Sequence, residues 1–235
     1  MLLRRRFAGR DDPQWCSARM KPRPRLLKDE DLPPEPRQTR SKEKRERLKN
    51  AALELFGAYG YERASIEEIA RRAGLATGTF YQHYRSKRQL LLALMDDFLE
   101  GMARLNLSPA PTGDVRGMLR GLLARGLATD RRYLGAYRAW QEAMLSDSAL
   151  AADQVKVRQW TTERIAGLLK LLQLSPAARP IANVRALADV VDSLCWSLIA
   201  EAASTGKDQL NAKIDAVTDL IYHAVFRDRP AREHT

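Results

Sequence analysis

The chain has only two cysteines, three histidines and no long apolar run, and each shortage removes a class of protein. Cys16 sits in a Pro-rich stretch and Cys195 in an apolar one, so neither a disulfide framework nor a Cys-based zinc site is expected, and a reducing cytoplasm is the expected compartment. The histidines, at 83, 223 and 234, have no Cys or His partner at metal spacing, and neither an HExxH nor a Gly-rich phosphate loop occurs. A metal, a cofactor and catalytic machinery are therefore not expected, which weighs against a helical enzyme. MLLRRRFAGRDD lacks the apolar core of a signal peptide, and no later run approaches the roughly eighteen apolar residues of a membrane span, so neither secretion nor a membrane partner is expected. Strand-like alternation is missing throughout.

What is present is length, charge and helical period. At 235 residues the chain can bury a sizeable core without staples, as one or two domains. Its net charge of +11 is unevenly spread: residues 1–105 hold 23 Lys and Arg against 15 Asp and Glu, whereas the remainder hold 17 against 14. A basic excess concentrated in one part of a chain attracts polyanions; spread thinly it would only aid solubility.

Residues 1–38 are rich in Arg, Lys and Pro, with PRPR at 22–25 and LPPEP at 32–36, and are expected to be disordered. They read as a solvated tail, as a leader upstream of a true start at Met20, or as a basic arm following a DNA backbone. From Ser41 an apolar stripe of Leu48, Ala52, Leu55, Phe56 and Tyr59 predicts a first helix ending at Gly60. A first domain is expected over 41–103. Ser65 with Glu68 forms a capping box, Ile66, Ile69, Ala70 and Ala73 share one face, and Gly74 suits a left-handed helix end. A second short helix then runs from Ala76 or Thr77 to Tyr84, its Phe80 and Tyr84 turned to a core and its Thr79, Gln82 and His83 on a polar face. Ser86 with Gln89 is a second capping box that opens a longer helix bearing Leu90, Leu94, Phe98 and Met102.

NLSPAPTG at 106–113 is the expected boundary, with a helical second domain over 109–228 and a disordered tail at 229–235. Its helices are marked by Val115 to Leu122, Tyr133 to Met144, Leu150 to Leu172, Val184 to Ala203 and Leu210 to Phe226. The fold class is all-α with about nine helices, a three-helix helix-turn-helix domain followed by a helical bundle.

The run RERLKNAALELFGAYGYERASIEEIARRAGLATGTFYQHYRSKRQLLL, Arg45 to Leu92, resembles the DNA-binding domain of the TetR family of transcriptional regulators. The resemblance implies that Ser65 caps its helix and contacts a phosphate, that the helix from Thr77 enters the major groove, and that Tyr81 and Lys87 contact phosphates. Gly78 lets the backbone approach closely, Gln82 and His83 can reach base edges, and the Thr79 methyl can pack on thymine. Two positions depart from the family's usual pattern. Ala76 stands where many members carry a capping serine, so Thr77 is an alternative cap, and His83 stands where tyrosine is frequent.

Beyond Met102 only helical character and length match the family, which implies a ligand-binding and dimerisation domain with an unidentified small-molecule effector. Tyr137, Trp140 and Met144 form an aromatic stripe that reads as core or as the wall of a pocket for a small apolar or amphipathic ligand. Trp160, Asp192 and Trp196 complete the candidate ligand set; Asp192, at a helix edge, also reads as a solvated carboxylate. The resemblance places the last two helices in a homodimer interface. The function it implies is a sequence-specific regulator, a repressor released from a palindromic operator by its ligand; the alternative is a sequence-tolerant DNA-packaging protein.

Overall fold

The computed structural model describes residues 22–34, 38–105, 114–130, 133–202 and 205–227. These form nine helices: α1 (Thr39–Tyr59), α2 (Ile66–Arg72), α3 (Thr77–Tyr81), α4 (Lys87–Ala103), α5 (Val115–Asp130), α6 (Leu134–Ala143), α7 (Ser148–Leu172), α8 (Val184–Glu201) and α9 (Lys207–Val225). The described residues contain no strand beyond one isolated bridge, Ala178 to Phe226. Both expected serine caps form at the helix starts: Ser65 Oγ accepts from the Glu68 amide at 3.1 Å, and Ser86 Oγ from the Gln89 amide at 3.2 Å. The return half of a capping box is replaced at each, since Gln89 Oε1 accepts from the Arg85 amide at 2.9 Å and Glu68 Oε1 from Arg71 at 3.2 Å. Gly74 has a φ of 63° and Gly60 one of 82°, so both helix ends use backbone conformations that a Cβ would strain.

α1, α2 and α3 share the small core that the sequence marked, with Leu48, Phe56, Ile69, Phe80 and Tyr84 fully buried. α3 is only five residues long, too short to hold itself together by helix propensity. Its two aromatic anchors hold it instead, with Phe80 and Tyr84 ring centroids 5.9 Å apart. It ends at Tyr81, earlier than the expected Tyr84, although the Tyr84 amide still bonds the Phe80 carbonyl at 2.9 Å. At its start Ala76 occupies the cap position and makes no side-chain cap bond; Thr77 is the first helical residue and does not take over.

α4 leaves this unit and is buried on nearly every side over its first three turns. The second domain packs α7 along α8 and α5 along α9, and α6 lies on α1. At that crossing Gly57 and Gly135 meet backbone to backbone: a Cβ placed on Gly135 would fall 2.7 Å from the Gly57 nitrogen and onto the Leu53 carbonyl oxygen. The two domains thus share one continuous apolar core.

The expectation of disorder over 1–38 needs correction for residues 22–34; residues 1–21 and 35–37 lie outside the described residues. Leu26 is 6% exposed and joins the core, and its amide bonds Asp96 Oδ1 at 3.1 Å. Arg23 bonds both Asp96 (2.7 Å) and Glu100 (2.7 Å) on α4, and Glu30 pairs with Arg88. A Pro-rich composition lacks periodicity, so neither a single buried leucine nor an Arg facing two carboxylates on another helix could be read from it. The expected boundary at 106–113, the last residue of the expected second domain, 228, and the expected tail at 229–235 also lie outside the described residues.

Candidate nucleic-acid interface and ligand cavity

Packing decides which side of α3 is available. With Phe80 and Tyr84 sunk into the core, Gly78, Tyr81 and Gln82 are exposed, and Thr77 and Thr79 half-buried. Tyr81 keeps 48% of its surface, a large exposure for an aromatic residue. A Cβ added to Gly78 would meet nothing within 4 Å, so this part of the helix start stands open to an approaching surface. Ser65 is exposed at the start of α2, where free amides and the positive helix end favour an anion.

Two residues expected on this surface are placed differently. His83 is 6% exposed, and its Nδ1 is buried without a hydrogen-bond partner. Burial, with added repulsion from Arg45 and Lys44, lowers its pKa and keeps the ring neutral near pH 7. The reading of His83 as a base-edge contact is corrected: it follows Tyr81 and Gln82 after the last helical residue, where the chain turns back into the core. Lys87 is occupied by the protein itself. Its Nζ donates to the carbonyls of Tyr61 (2.7 Å) and Glu62 (3.3 Å) and lies 4.3 Å from the Tyr61 ring centroid. Desolvation lowers its pKa despite the pull of Glu62 and Glu142. The expected phosphate contact at Lys87 is therefore replaced by an internal clamp on the α1–α2 connection.

The structure also adds a basic group that sequence reasoning left unnamed. Arg40, Lys42 and Lys44 are exposed on the first turns of α1, and the bond from Arg45 to the Tyr84 hydroxyl puts that end of α1 beside α3. The charged SKEKRER run at 41–47 carries the signal, but a charge run alone does not say which face of the fold it joins. Arg47 and Arg45 are used differently: Arg47 donates to the Gly74 carbonyl at 3.1 Å, and Arg45 Nε to the Tyr84 hydroxyl at 3.1 Å.

In the second domain a cavity of about 150 Å³ opens among α4, α5, α7, α8 and α9, walled chiefly by leucines and isoleucines. Asp192 and Trp196, from the expected ligand set, line it; Tyr137, Trp140, Met144 and Trp160 do not. Trp140 is fully buried and donates to Gln154 Oε1 at 2.8 Å, and Tyr137 packs against Trp196 with centroids 4.9 Å apart. The aromatic stripe is thus core that joins α6 to its neighbours, and its reading as a pocket wall is corrected. Asp192 is 1% exposed, not solvated at a helix edge. Its Oδ1 accepts from the Trp196 indole at 3.2 Å, and Arg158 Nε lies 3.0 Å from its Oδ2, although Oδ2 has no hydrogen bond of acceptable geometry. Desolvation raises the Asp192 pKa against the opposing pull of Thr161, Arg158 and Trp196. Arg164 and Thr161 are lining residues that the sequence did not single out, because a polar residue on a long amphipathic helix gives no local sign of which side it faces.

No helix of the described residues is long and apolar enough to cross a membrane, and no cluster of potential metal ligands occurs among them.

Comparison with known proteins agrees with this geometry. Residues 48–94 match the family model described as bacterial regulatory proteins, tetR family. The A-factor receptor protein of Streptomyces griseus is 48% identical over 48 residues, 20% of this chain and 17% of that protein, so the likeness there is confined to a short part of the relative. The HTH-type transcriptional regulator TcmR of Streptomyces glaucescens is 28% identical over 206 residues, 82% of this chain and 88% of its own. Among solved structures, a transcriptional regulator from Saccharomonospora viridis in complex with choline superimposes with a TM-score of 0.65 at 20% identity, over 79% of this chain and 99% of that one, a likeness of fold.

Proposed function

We propose that this chain, whose residues 48–94 match the TetR family model, is a DNA-binding transcriptional repressor that acts as a homodimer and leaves its operator when a small apolar or amphipathic molecule enters the second domain. The observation that carries the reading is α3: a helix too short to persist alone, pinned by Phe80 and Tyr84 so that Gly78, Tyr81 and Gln82 face outward. Such a helix suits a major groove, where Gln82 can read a base edge and Tyr81 and Ser65 can bond phosphates. The exposed cations at the start of α1 extend the surface along the backbone.

Dimerisation is supported by the outward faces of α8 and α9. Ala186, Val190, Ser193 and Ser197 make an exposed stripe of small and apolar residues on α8, and Ala212, Ala216 and Leu220 one on α9. Val190 and Leu220 stand 58% and 61% exposed. A two-fold pair through these helices would present two α3 helices to half-sites about 34–36 Å apart, or a multiple. The cavity touches α4, the helix joining the two domains, so a ligand that binds one position of α4 better than another would shift the spacing. The names of two relatives fit a small-molecule effector: one is a receptor for A-factor, and one was solved with choline.

The experiment is a titration of the gene's own upstream DNA with the full chain, followed by mobility shift and footprinting. A protected, near-palindromic site of two half-sites is expected; uniform coverage that ignores sequence would support the packaging alternative instead.

A further inference from the structure

The cavity holds two charged side chains, and they are not equally compensated. Asp192 is paired in charge, with Arg158 Nε 3.0 Å from its Oδ2 and the Trp196 indole on its Oδ1, although Oδ2 itself accepts no hydrogen bond of acceptable geometry. Arg164 is different. Its Nη2 donates to the carbonyls of Met102 (3.2 Å) and Leu105 (2.9 Å), and its guanidinium lies 5.1 Å from the Trp160 ring centroid. No carboxylate among the described residues pairs with it. Its other N–H donors have no protein acceptor among the described residues, and the residue lines a cavity whose other walls are almost wholly apolar. Desolvation lowers its pKa with no acidic group opposing that effect.

A partly buried cation facing an apolar cavity is costly unless an anion meets it, and a guanidinium matches a carboxylate through two parallel N–H bonds. Taken together, Asp192 and Arg158 are neutral and Arg164 leaves one positive charge unmatched. A cavity of about 150 Å³ holds roughly a benzene ring or a chain of similar bulk. We propose that this cavity takes a small organic carboxylate, its apolar body among the leucines of α5 and α7 and its carboxylate on Arg164.

The identity of the anchor has a structural consequence. The carbonyls that Arg164 now holds end α4, so a ligand that draws on the same guanidinium touches the helix that leads to the DNA-binding domain. This inference rests on the ligand-binding reading of the second domain, but it concerns ligand class and is tested without DNA.

The test compares three probes of equal length, hexanoate, 1-hexanol and hexylammonium, by calorimetric titration of the full chain. Hexanoate is expected to bind at least about tenfold more tightly than hexanol, the scale of one charge-assisted hydrogen bond. Hexylammonium is expected to bind more weakly than either. Arg164→Gln should abolish the preference for hexanoate while leaving hexanol binding within about twofold, and Arg164→Lys, which keeps the charge and guards against a folding defect in the first variant, should retain part of it. Equal binding of hexanoate and hexanol, tightest binding of hexylammonium, or an undiminished preference in Arg164→Gln would each overturn the proposal. A mobility shift in the same buffers keeps the two readings apart: hexanoate that binds through Arg164 without releasing DNA upholds the ligand class and counts against ligand-induced release.

Discussion

Arg88 Nε lies 2.7 Å from Asp147 Oδ2, tying the first turn of α4 to the residue that caps α7. The same guanidinium also meets Glu30 of the N-terminal segment, so three parts of the chain converge on one cation. Asp147 has a second task, since its Oδ1 accepts from the amides of Ala149 (2.9 Å) and Leu150 (3.1 Å). The junction between the two domains is therefore polar and titratable on one side. On its other side it is a glycine contact between α1 and α6.

Asp147 supplies the first prediction. Desolvation alone would raise its pKa, but the Leu150 amide, Arg88 and the Ala149 amide outweigh it and the pKa falls. A carboxylate with a depressed folded pKa stabilises the fold above its ordinary titration range, and that contribution disappears as pH drops through the folded value. Asp147→Asn keeps a cap acceptor and removes the charge, so thermal melts should show a smaller loss of stability on acidification below about pH 4 than the parent. Parallel melting curves for the two proteins between pH 6 and pH 3 would count against the assignment.

Gly135→Ala tests the glycine contact. The added methyl would meet backbone of Leu53 and Gly57, which cannot swing aside as a side chain can. Overpacking of this kind costs about 1–3 kcal/mol, read by denaturant unfolding. Gly167, where an added Cβ meets nothing within 4 Å, is the matched control, and Gly167→Ala in the interior of α7 should be neutral or stabilising.

His83 predicts a loss of stability on mild acidification. Because its folded pKa is lowered, the unfolded chain takes up a proton first, and the fold weakens as pH falls through the ordinary histidine range toward the folded value. His83→Phe should flatten that part of the profile, between about pH 7 and pH 5, while keeping the site filled. An unchanged profile would mean that the ring gains a partner when protonated.

Lys87→Met separates clamp from contact. Removing a charged donor from the Tyr61 and Glu62 carbonyls should lower stability by about 1–2 kcal/mol, and the dependence of DNA affinity on salt should stay as it was. A shallower salt slope would restore Lys87 as a phosphate contact.

The comparison of sequence with structure separates what is local from what is not. Serine caps at Ser65 and Ser86, the left-handed turn at Gly74 and the buried faces of α1, α2 and α4 are set by residues within a few positions of each other, and all were legible. His83 and Lys87 were misplaced because their partners lie elsewhere in the chain, in the core beneath α3 and at Tyr61 and Glu62. The cavity was least legible of all. Aromatic residues drew attention to Tyr137 and Trp140, which turned out to be packing, whereas Arg164 looks like any polar residue on a long helix until the end of α4 is brought against it. The docked segment 22–34 was hidden for the same reason, since Arg23 means little without Asp96 and Glu100 seventy-odd residues away.

The central claim is that the exposed side of α3 reads DNA sequence, and selection of bound duplexes from a random pool tests it most directly. The parent protein should enrich a two-fold symmetric motif. Tyr81→Ala should bind every duplex more weakly with the same motif, and Gln82→Ala should relax or change the preference at one position in each half-site, by about 1–3 kcal/mol of discrimination. A pool that emerges without a motif, or with one untouched by Gln82→Ala, would contradict the account.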